Sequence, residues 1–228
     1  PTSEIDSFFF LILEEYMGLK RIDIVLKSDF LIDKKSLNLL QIATKQLEQE
    51  IPIQYIIGKT EFFGLPFNIN KEVLIPRPET EELVEQVLKE VSLTKICKTT
   101  TDETTNEKQL KILDIGTGSG CIAISLKKQL RSSKTSAMDV SDEALRIAKK
   151  NAVLNKVDIN FIHQDILKTN NLDKLYDVIV SNPPYVRELE KKEIKNNVLH
   201  NEPHLALFVD NKNPLLFYNK IAELAKKF

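Results

Sequence analysis

Four consecutive residues after an apolar run could hold a nitrogen atom for reaction. Asn182, Pro183, Pro184 and Tyr185 follow DVIVS at 177–181, which has the composition of a buried strand. Proline fixes its own φ and has no N–H, so two prolines end strand pairing at a rigid corner. The Asn182 side-chain carbonyl and the Pro183 backbone carbonyl can accept both hydrogens of a planar NH₂ group, against which Tyr185 can pack. The pattern favours positioning such a nitrogen for attack on a donor held beside it. The alternative is a strand ended by prolines, with an incidental asparagine.

A glycine-rich loop is the second candidate. The stretch LDIGTGSG at 113–120 lies between a strand pattern and a helix pattern, and glycines there allow a tight turn and close approach of a ligand. The loop alone also fits a simple turn before a crossover helix. Asp139 ends the next strand, where an acid can bind a ribose, as in dinucleotide-binding proteins. However, Asp114 precedes the first glycine by two places, and neither the dinucleotide glycine spacing nor a phosphate-binding lysine is present.

The loop resembles instead the cofactor loop of S-adenosylmethionine-dependent methyltransferases, in which it accommodates an amino-acid moiety. Gln164 and Asp165 end the third strand pattern, where that fold places a carboxylate near the adenine amine. Asp165 alone could equally be a solvated loop acid. Together with the loop and Asp139, we interpret it as a cofactor residue.

The elements that must position these residues alternate along the second half of the chain. Strand patterns lie at 110–115, 135–140, 159–164 and 176–181, and helix patterns follow the first two, the second beginning at the capping residue Ser141. Such alternation predicts a parallel sheet with helices on both faces. LALFVD and LLFYNKIAELAKKF, near the end of the sequence, predict a further short strand and a helix.

The first half of the chain carries different patterns. Residues 1–57 have helical periodicity, with Gly18 as the expected end of the first helix. Residues 58–78 predict a hairpin linker, and the next helix begins at Pro78 with one apolar face. We assign 79–228 to a catalytic domain, interrupted at 92–109 by a polar, threonine-rich insertion that we expect to be flexible.

Three motifs together resemble the HemK/PrmC family. They are the NPPY corner at 182–185, LIPRPETE at 74–81 and NEPHLAL at 201–207. The resemblance implies a Rossmann-like methyltransferase fold and transfer of a methyl group from S-adenosylmethionine, leaving S-adenosylhomocysteine. The implied acceptor is the side-chain amide nitrogen of glutamine in the Gly-Gly-Gln motif of class 1 peptide chain release factors. The resemblance also implies that residues 1–57 are a release-factor docking domain, although these helices could also be a simple packing cap.

The resemblance also assigns site residues. The cofactor would contact Gly116, Thr117, Gly118, Ser119, Gly120, Asp139, Asp165, Ile166 and Asn182. The substrate would contact Asn182, Pro183, Pro184 and Tyr185, of which Asn182, Pro183 and Tyr185 would be catalytic. Arg77 and Glu79 are expected to brace the site, and Glu202 and Pro203 to act as scaffold.

Bulk properties restrict the other possibilities. The chain has 228 residues, 42% hydrophobic and 29% charged, with a net charge of −1, so direct binding to duplex DNA is not expected. We expect no membrane segment, because the longest apolar run, FFFLIL, is too short. Cys97 and Cys121 indicate no disulfide framework, which favours the cytoplasm, and the three histidines show no metal-ligand spacing.

Two other function classes remain open from the sequence. An adenine methyltransferase acting on DNA or RNA would share both the loop and the NPPY corner, but it should also carry a basic face. A catalytically inactive binding fragment is the third possibility. The family's sheet has seven strands and only four core strands can be read, so we expect a sheet that lacks its C-terminal strands. An exposed sheet edge would make such a chain weakly stable or prone to associate.

Overall fold

The N-terminal part is a small helical unit. The computed structural model describes residues 2–26, 31–94 and 109–227, so Cys97 and most of the 92–109 insertion lie outside the described residues. The helices are α1 (Thr2–Met17), α2 (Arg21–Leu26), α3 (Lys34–Glu48) and α4 (Ile53–Ile57). Gly18 follows α1 with a φ of 64°, in agreement with the predicted helix end. The small core around Ile12, Ala43 and Ile53 joins α1, α3 and α4.

A hairpin and a long helix follow. Strands β1 (Lys59–Phe62) and β2 (Leu65–Asn68) pair in antiparallel fashion. Phe63 and Gly64 between them have φ values of 52° and 68°, the conformation that two-residue hairpin loops favour. Helix α5 (Pro78–Leu93) begins at the predicted proline and buries Val84 and Val91 against the main core. The hairpin and this helix therefore pack onto the body that follows.

The central sheet has four parallel strands in the order β5–β4–β3–β6. The chain runs through β3 (Lys111–Ile115), α6 (Cys121–Gln129), β4 (Lys134–Asp139), α7 (Asp142–Leu154), β5 (Asn160–His163) and β6 (Val178–Ser181). It thus proceeds outward from β3 to β5 and then returns to the other side of β3 for β6. Open α/β sheets bind ligands at such a reversal, beyond the carboxyl ends of the strands. Ser141 caps α7 by accepting the backbone N–H of Ala144 at 3.2 Å, as predicted.

One buried amide fastens the hairpin to the sheet domain. Asn151 of α7 is fully buried, and its nitrogen donates to the carbonyl oxygens of Asn68 and Ser119, each at 2.9 Å. Its oxygen accepts the backbone N–H of Asn68 at 2.7 Å and the Asn68 side-chain amide at 3.1 Å. All the hydrogen-bonding positions of this side chain are therefore used, on β2 and on the glycine loop.

The segment after β6 corrects one prediction. LALFVD was expected to be a strand, but His204–Leu207 forms the short helix α9, which follows α8 (Asn196–Asn201). Only Phe208–Val209 is a strand, β8, and it pairs with β7 (Val186–Arg187) outside the four-stranded sheet. Apolar runs this short fit either element, so the pattern could not decide. The last element, α10 (Leu216–Lys226), matches its prediction and buries Leu224 in a cluster with Leu113, Ile115 and Met138.

Candidate functional site

A cavity of about 330 Å³ opens at the carboxyl ends of β3, β4 and β6. Its volume falls within the range of roughly 300–1,000 Å³ that is typical of small-molecule sites. The wall includes eight of the predicted site residues: Gly116, Gly118, Asp139, Asp165, Ile166, Asn182, Pro183 and Pro184. The Ser181 hydroxyl joins the ends of two strands by donating to the carbonyl oxygen of Ile115 at 2.7 Å. The reversal of strand order thus brings the glycine loop and the NPPY corner together.

The other four predicted residues lie outside the cavity wall. The Thr117 hydroxyl donates to buried Asp114 at 2.6 Å, and Ser119 is 2% exposed. A Cβ atom at Gly120 would lie 3.0 Å from Ile124 and 3.1 Å from Ala148, so this glycine permits close packing of α6 and α7. Tyr185 is 58% exposed and does not line the cavity.

Hydrogen bonds to the end of β4 fix the conformation of the glycine loop. The backbone N–H groups of Gly116 and Thr117 both donate to the carbonyl oxygen of Met138, at 2.8 and 3.0 Å. Gly118 donates its N–H to Asp139 at 2.8 Å. Gly116 and Gly118 have φ values of 71° and 55°, and a Cβ atom on either would meet nothing within 4 Å. Glycine is thus needed for the backbone conformation, and the space beside it is open to a ligand.

The Asn182 side chain has a defined partner. Its Nδ2 donates to the hydroxyl oxygen of Thr80 at 3.1 Å, and Thr80 is 7% exposed in the first turn of α5. The same segment anchors the opposite wall, because Arg77 forms an ion pair with Glu202 at 2.5 Å. Thr80 was not among the predicted site residues, although it lies within the LIPRPETE motif that signalled the family.

Family models match both parts of the chain. Residues 3–58 match the PrmC N-terminal domain, and residues 97–206 match the methyltransferase small domain. A release factor glutamine methyltransferase of Flavobacterium psychrophilum is 56% identical over 98% of this chain and 75% of its own length. That of Bacteroides thetaiotaomicron is 42% identical over the whole chain and 77% of its own length.

This chain belongs to the release factor glutamine methyltransferase family. It is accordingly an S-adenosylmethionine-dependent protein methyltransferase, as the HemK/PrmC resemblance implied. It spans about three quarters of the length of the two relatives above. Among solved structures, the hMettl16 catalytic domain, in complex with MAT2A 3′UTR hairpin 6, superposes with a TM-score of 0.51 and 22% identity. That match covers 72% of this chain and 58% of the other, and it establishes the methyltransferase fold alone.

The charged groups in the wall of this methyltransferase cavity are carboxylates: Glu72, Asp139 and Asp165. Asp139 is oriented by the N–H groups of Gly118 and Ser141, at 2.8 and 2.9 Å. Asp165 accepts the N–H of Leu167 at 2.9 Å and so caps the short 3₁₀-helix Ile166–Lys168. Backbone donors hold both acids in fixed directions while leaving further lone pairs for a ligand. Such a wall suits a ligand with net positive charge.

Behind the loop, a further acid, Asp114, is fully buried. Asp114 accepts the Thr117 hydroxyl and the backbone N–H of Ala123, at 2.6 and 3.2 Å, through one oxygen. Its other oxygen has no hydrogen-bond partner among the described residues. Burial raises the pKa of Asp114 to about 7, and the charge of Asp139 adds to that shift. Cys121, the first residue of α6, is also buried, which raises the pKa of its thiol to about 12 and keeps it protonated.

Several wall residues were missed by the sequence prediction. They come from the connection between β2 and α5 and from the segment 203–206: Glu72, Val73, Leu74, Pro203, His204, Leu205 and Ala206. The NEPHLAL motif contained a signal for the second group, but Pro203 was interpreted as scaffold. In the structure Glu202 is indeed an anchor, 4% exposed, whereas Pro203 lies in the wall. In the described parts of the chain, we find no helix with the length and hydrophobicity needed to span a bilayer.

Proposed function

We propose that this methyltransferase transfers a methyl group to the side-chain amide nitrogen of glutamine in the Gly-Gly-Gln motif of class 1 release factors. The observation that carries the proposal is the position of Asn182 in one cavity wall with Gly116 and Gly118. An amide-binding side chain therefore lies beside the loop expected to bind the methyl donor. We also infer that the protein acts in the cytoplasm, since release factors act there during translation.

The cavity residues fit S-adenosylmethionine, which carries a net positive charge and supplies an electrophilic methyl group when bound. The open space beside Gly116 and Gly118 would receive its methionine end. Asp139 would accept hydrogen bonds from the ribose, and Asp165 and Ile166 would contact the adenine. The carboxylates in the wall complement the positive charge of this ligand.

The NPPY corner would then hold the acceptor nitrogen. The side-chain oxygen of Asn182 and the backbone oxygen of Pro183 accept the two hydrogens of the glutamine NH₂ group. As the nitrogen attacks, a C–N bond forms and the C–S bond of the donor breaks. The nitrogen becomes pyramidal, and the two acceptors stabilise the positive charge that develops on its hydrogens. Neither residue can take up the proton, which leaves to water.

Docking of the release factor would involve the helical unit. Several large apolar side chains of α1 and α2 are exposed: Ile5, Phe9, Leu11, Ile22, Val25 and Leu26. Ile5 and Phe9 of α1 are 68% and 46% exposed, whereas Ile12 and Leu13 of the same helix are buried. Exposed apolar groups on a small unit support a protein-binding role for residues 1–57.

The test is a transfer assay with radiolabelled S-adenosylmethionine. Wild-type release factor, a release factor with the Gly-Gly-Gln glutamine replaced by alanine, duplex DNA and RNA are offered separately. We expect label only on the wild-type release factor, at a single glutamine located by mass spectrometry. Label on adenine would instead support the nucleic-acid alternative. Absence of label on every acceptor, with cofactor binding intact, would support an inactive binding protein.

A further inference from the structure

The orientation of the Asn182 side chain matters because its two ends are opposite in chemistry. The oxygen accepts hydrogen bonds and the NH₂ group donates them, yet the two ends have almost the same shape. Shape therefore cannot decide which end faces the acceptor nitrogen. The decision must come from the hydrogen-bond partners of the amide.

Thr80 supplies such a partner from a different element. Its hydroxyl oxygen lies 3.1 Å from Nδ2 of Asn182, although the two residues are 102 positions apart in the chain. Thr80 is 7% exposed, so little water competes for this hydrogen bond. A hydroxyl can donate as well as accept, but in the structure the Thr80 oxygen accepts from Nδ2, which leaves the amide oxygen to accept from a substrate.

The position of Thr80 is fixed by the start of α5. Its backbone N–H donates to the carbonyl oxygen of Arg77 at 3.0 Å, and Pro78 occupies the first turn. Arg77 is in turn paired with Glu202, whose other oxygen accepts the backbone N–H of Ile75 at 3.3 Å. The segment that leads into the first turn is therefore anchored at two points, which restricts the movement of Thr80.

We propose that Thr80 is a positioning residue, whose hydroxyl holds the Asn182 amide with its oxygen toward the methyl-accepting nitrogen. This inference rests on the proposed function, because the acceptor is taken to be an NH₂ group. Without the hydroxyl, the amide rotates between its two orientations. In the wrong orientation its NH₂ group faces the NH₂ group of the substrate, so two donors oppose each other and an acceptor is lost.

The experiment compares Thr80→Val, which has a similar shape without the hydroxyl, with Thr80→Ser, which keeps the hydroxyl. Thr94→Val is the matched control, because Thr94 lies at the far end of the same helix and its hydroxyl donates to the backbone oxygens of Glu90 and Val91. We expect Thr80→Val to lower kcat on release factor by about 10- to 100-fold. Its affinity for S-adenosylhomocysteine should fall much less than kcat, because the other predicted cofactor contacts, on the glycine loop, Asp139 and Asp165, are unchanged. Thr80→Ser should recover most of kcat, and Thr94→Val should match the wild type.

A second measurement tests the hydrogen bond without any turnover. In the wild type, the side-chain NH₂ protons of Asn182 should exchange slowly with water by NMR, and Thr80→Val should speed that exchange. A kcat within twofold of wild type in Thr80→Val would overturn the inference. A loss of kcat in Thr80→Ser as large as in Thr80→Val would also overturn it, because the effect would then come from the packing of the methyl group and not from the hydroxyl. If the wild-type protein itself fails to methylate release factor, the proposed function fails, and the exchange data still decide whether Thr80 holds the amide.

Discussion

Replacing Arg77 by methionine should disturb the cavity through a single ion pair. Arg77 immediately precedes α5, and its guanidinium is paired with Glu202, which precedes the wall segment 203–206. Methionine keeps the apolar stem and removes the charge. The carboxylate of Glu202 is then left buried without a cation.

The expected magnitude follows from the burial of the two partners. The Glu202 side chain is 1% exposed and that of Arg77 is 32% exposed. Removing one member of a buried pair typically costs about 3–5 kcal/mol. Because a third of the Arg77 side chain remains in solvent, we expect about 2–3 kcal/mol in the free energy of unfolding. For a chain of this size, that loss corresponds to about 4–12 °C in Tm.

A double-mutant cycle isolates the pair from other effects of the substitutions. Arg77→Met, Glu202→Gln and the double variant are unfolded in urea, and the free energies of unfolding are compared. The double variant should be more stable than Arg77→Met, because a neutral amide replaces the unpaired carboxylate. Arg146→Met serves as control, since its pair with Glu143 is exposed on both sides, at 65% and 50%, and should contribute little.

A free energy of unfolding for Arg77→Met within about 0.5 kcal/mol of wild type would show that the ion pair does not stabilise the protein. Additive effects of the two single substitutions in the double variant would show the same. In either case the wall segment would be held by its backbone and apolar contacts alone.

Three further predictions concern the cavity. Asn182→Ala should reduce methyl transfer at least about 10³-fold while S-adenosylhomocysteine affinity falls less than about tenfold; near-normal turnover would refute the two-acceptor arrangement. Gly118→Ala should weaken S-adenosylhomocysteine binding in calorimetry, because its Cβ atom enters open space beside the cavity at a φ of 55°. Gly64→Ala carries similar strain in the hairpin, at a φ of 68°, and should leave that affinity unchanged. Asp114→Asn should remove a pH dependence of stability: the folded protein keeps a proton on Asp114 up to a pKa of about 7, whereas the unfolded chain releases it near pH 4. Wild-type stability should therefore fall from about pH 4 to pH 7, by up to about 4 kcal/mol, and equal slopes in both proteins would contradict this.

The parts of the fold that depend on local chemistry could be predicted from the sequence. The helix start at Pro78, the helix end before Gly18 and the cap at Ser141 each depend on one residue and its neighbours. The strand–loop–helix order around the glycines is equally local. The exception, LALFVD, failed because six residues do not distinguish a strand from a helical turn followed by a strand.

The site could be predicted only in part, because its members are distant in sequence. Asn182 and the glycines carry recognisable motifs, and the strand order unites them. The contact between Asn182 and Thr80 depends instead on how α5 packs on the sheet domain, which no periodicity encodes. The same is true of the wall segment 203–206, which follows the long-range pair between Arg77 and Glu202. Tyr185, in the same motif as Asn182, is exposed, and its contact with the substrate stays a prediction.

Asn151 should tolerate substitution poorly, because it is fully buried and all its hydrogen-bonding groups are used. Aspartate would keep the acceptor for the Asn68 backbone N–H but lose both donors, and leucine would lose every bond. Glutamine would carry the same groups one methylene too far into a fully buried position. A mutation there would loosen the hairpin and the Ser119 end of the glycine loop together. Asn155 adds a second amide contact from α7 to the same strand, through the carbonyl oxygen of Pro66 at 2.9 Å, but Asn151 alone of the two also bonds the glycine loop.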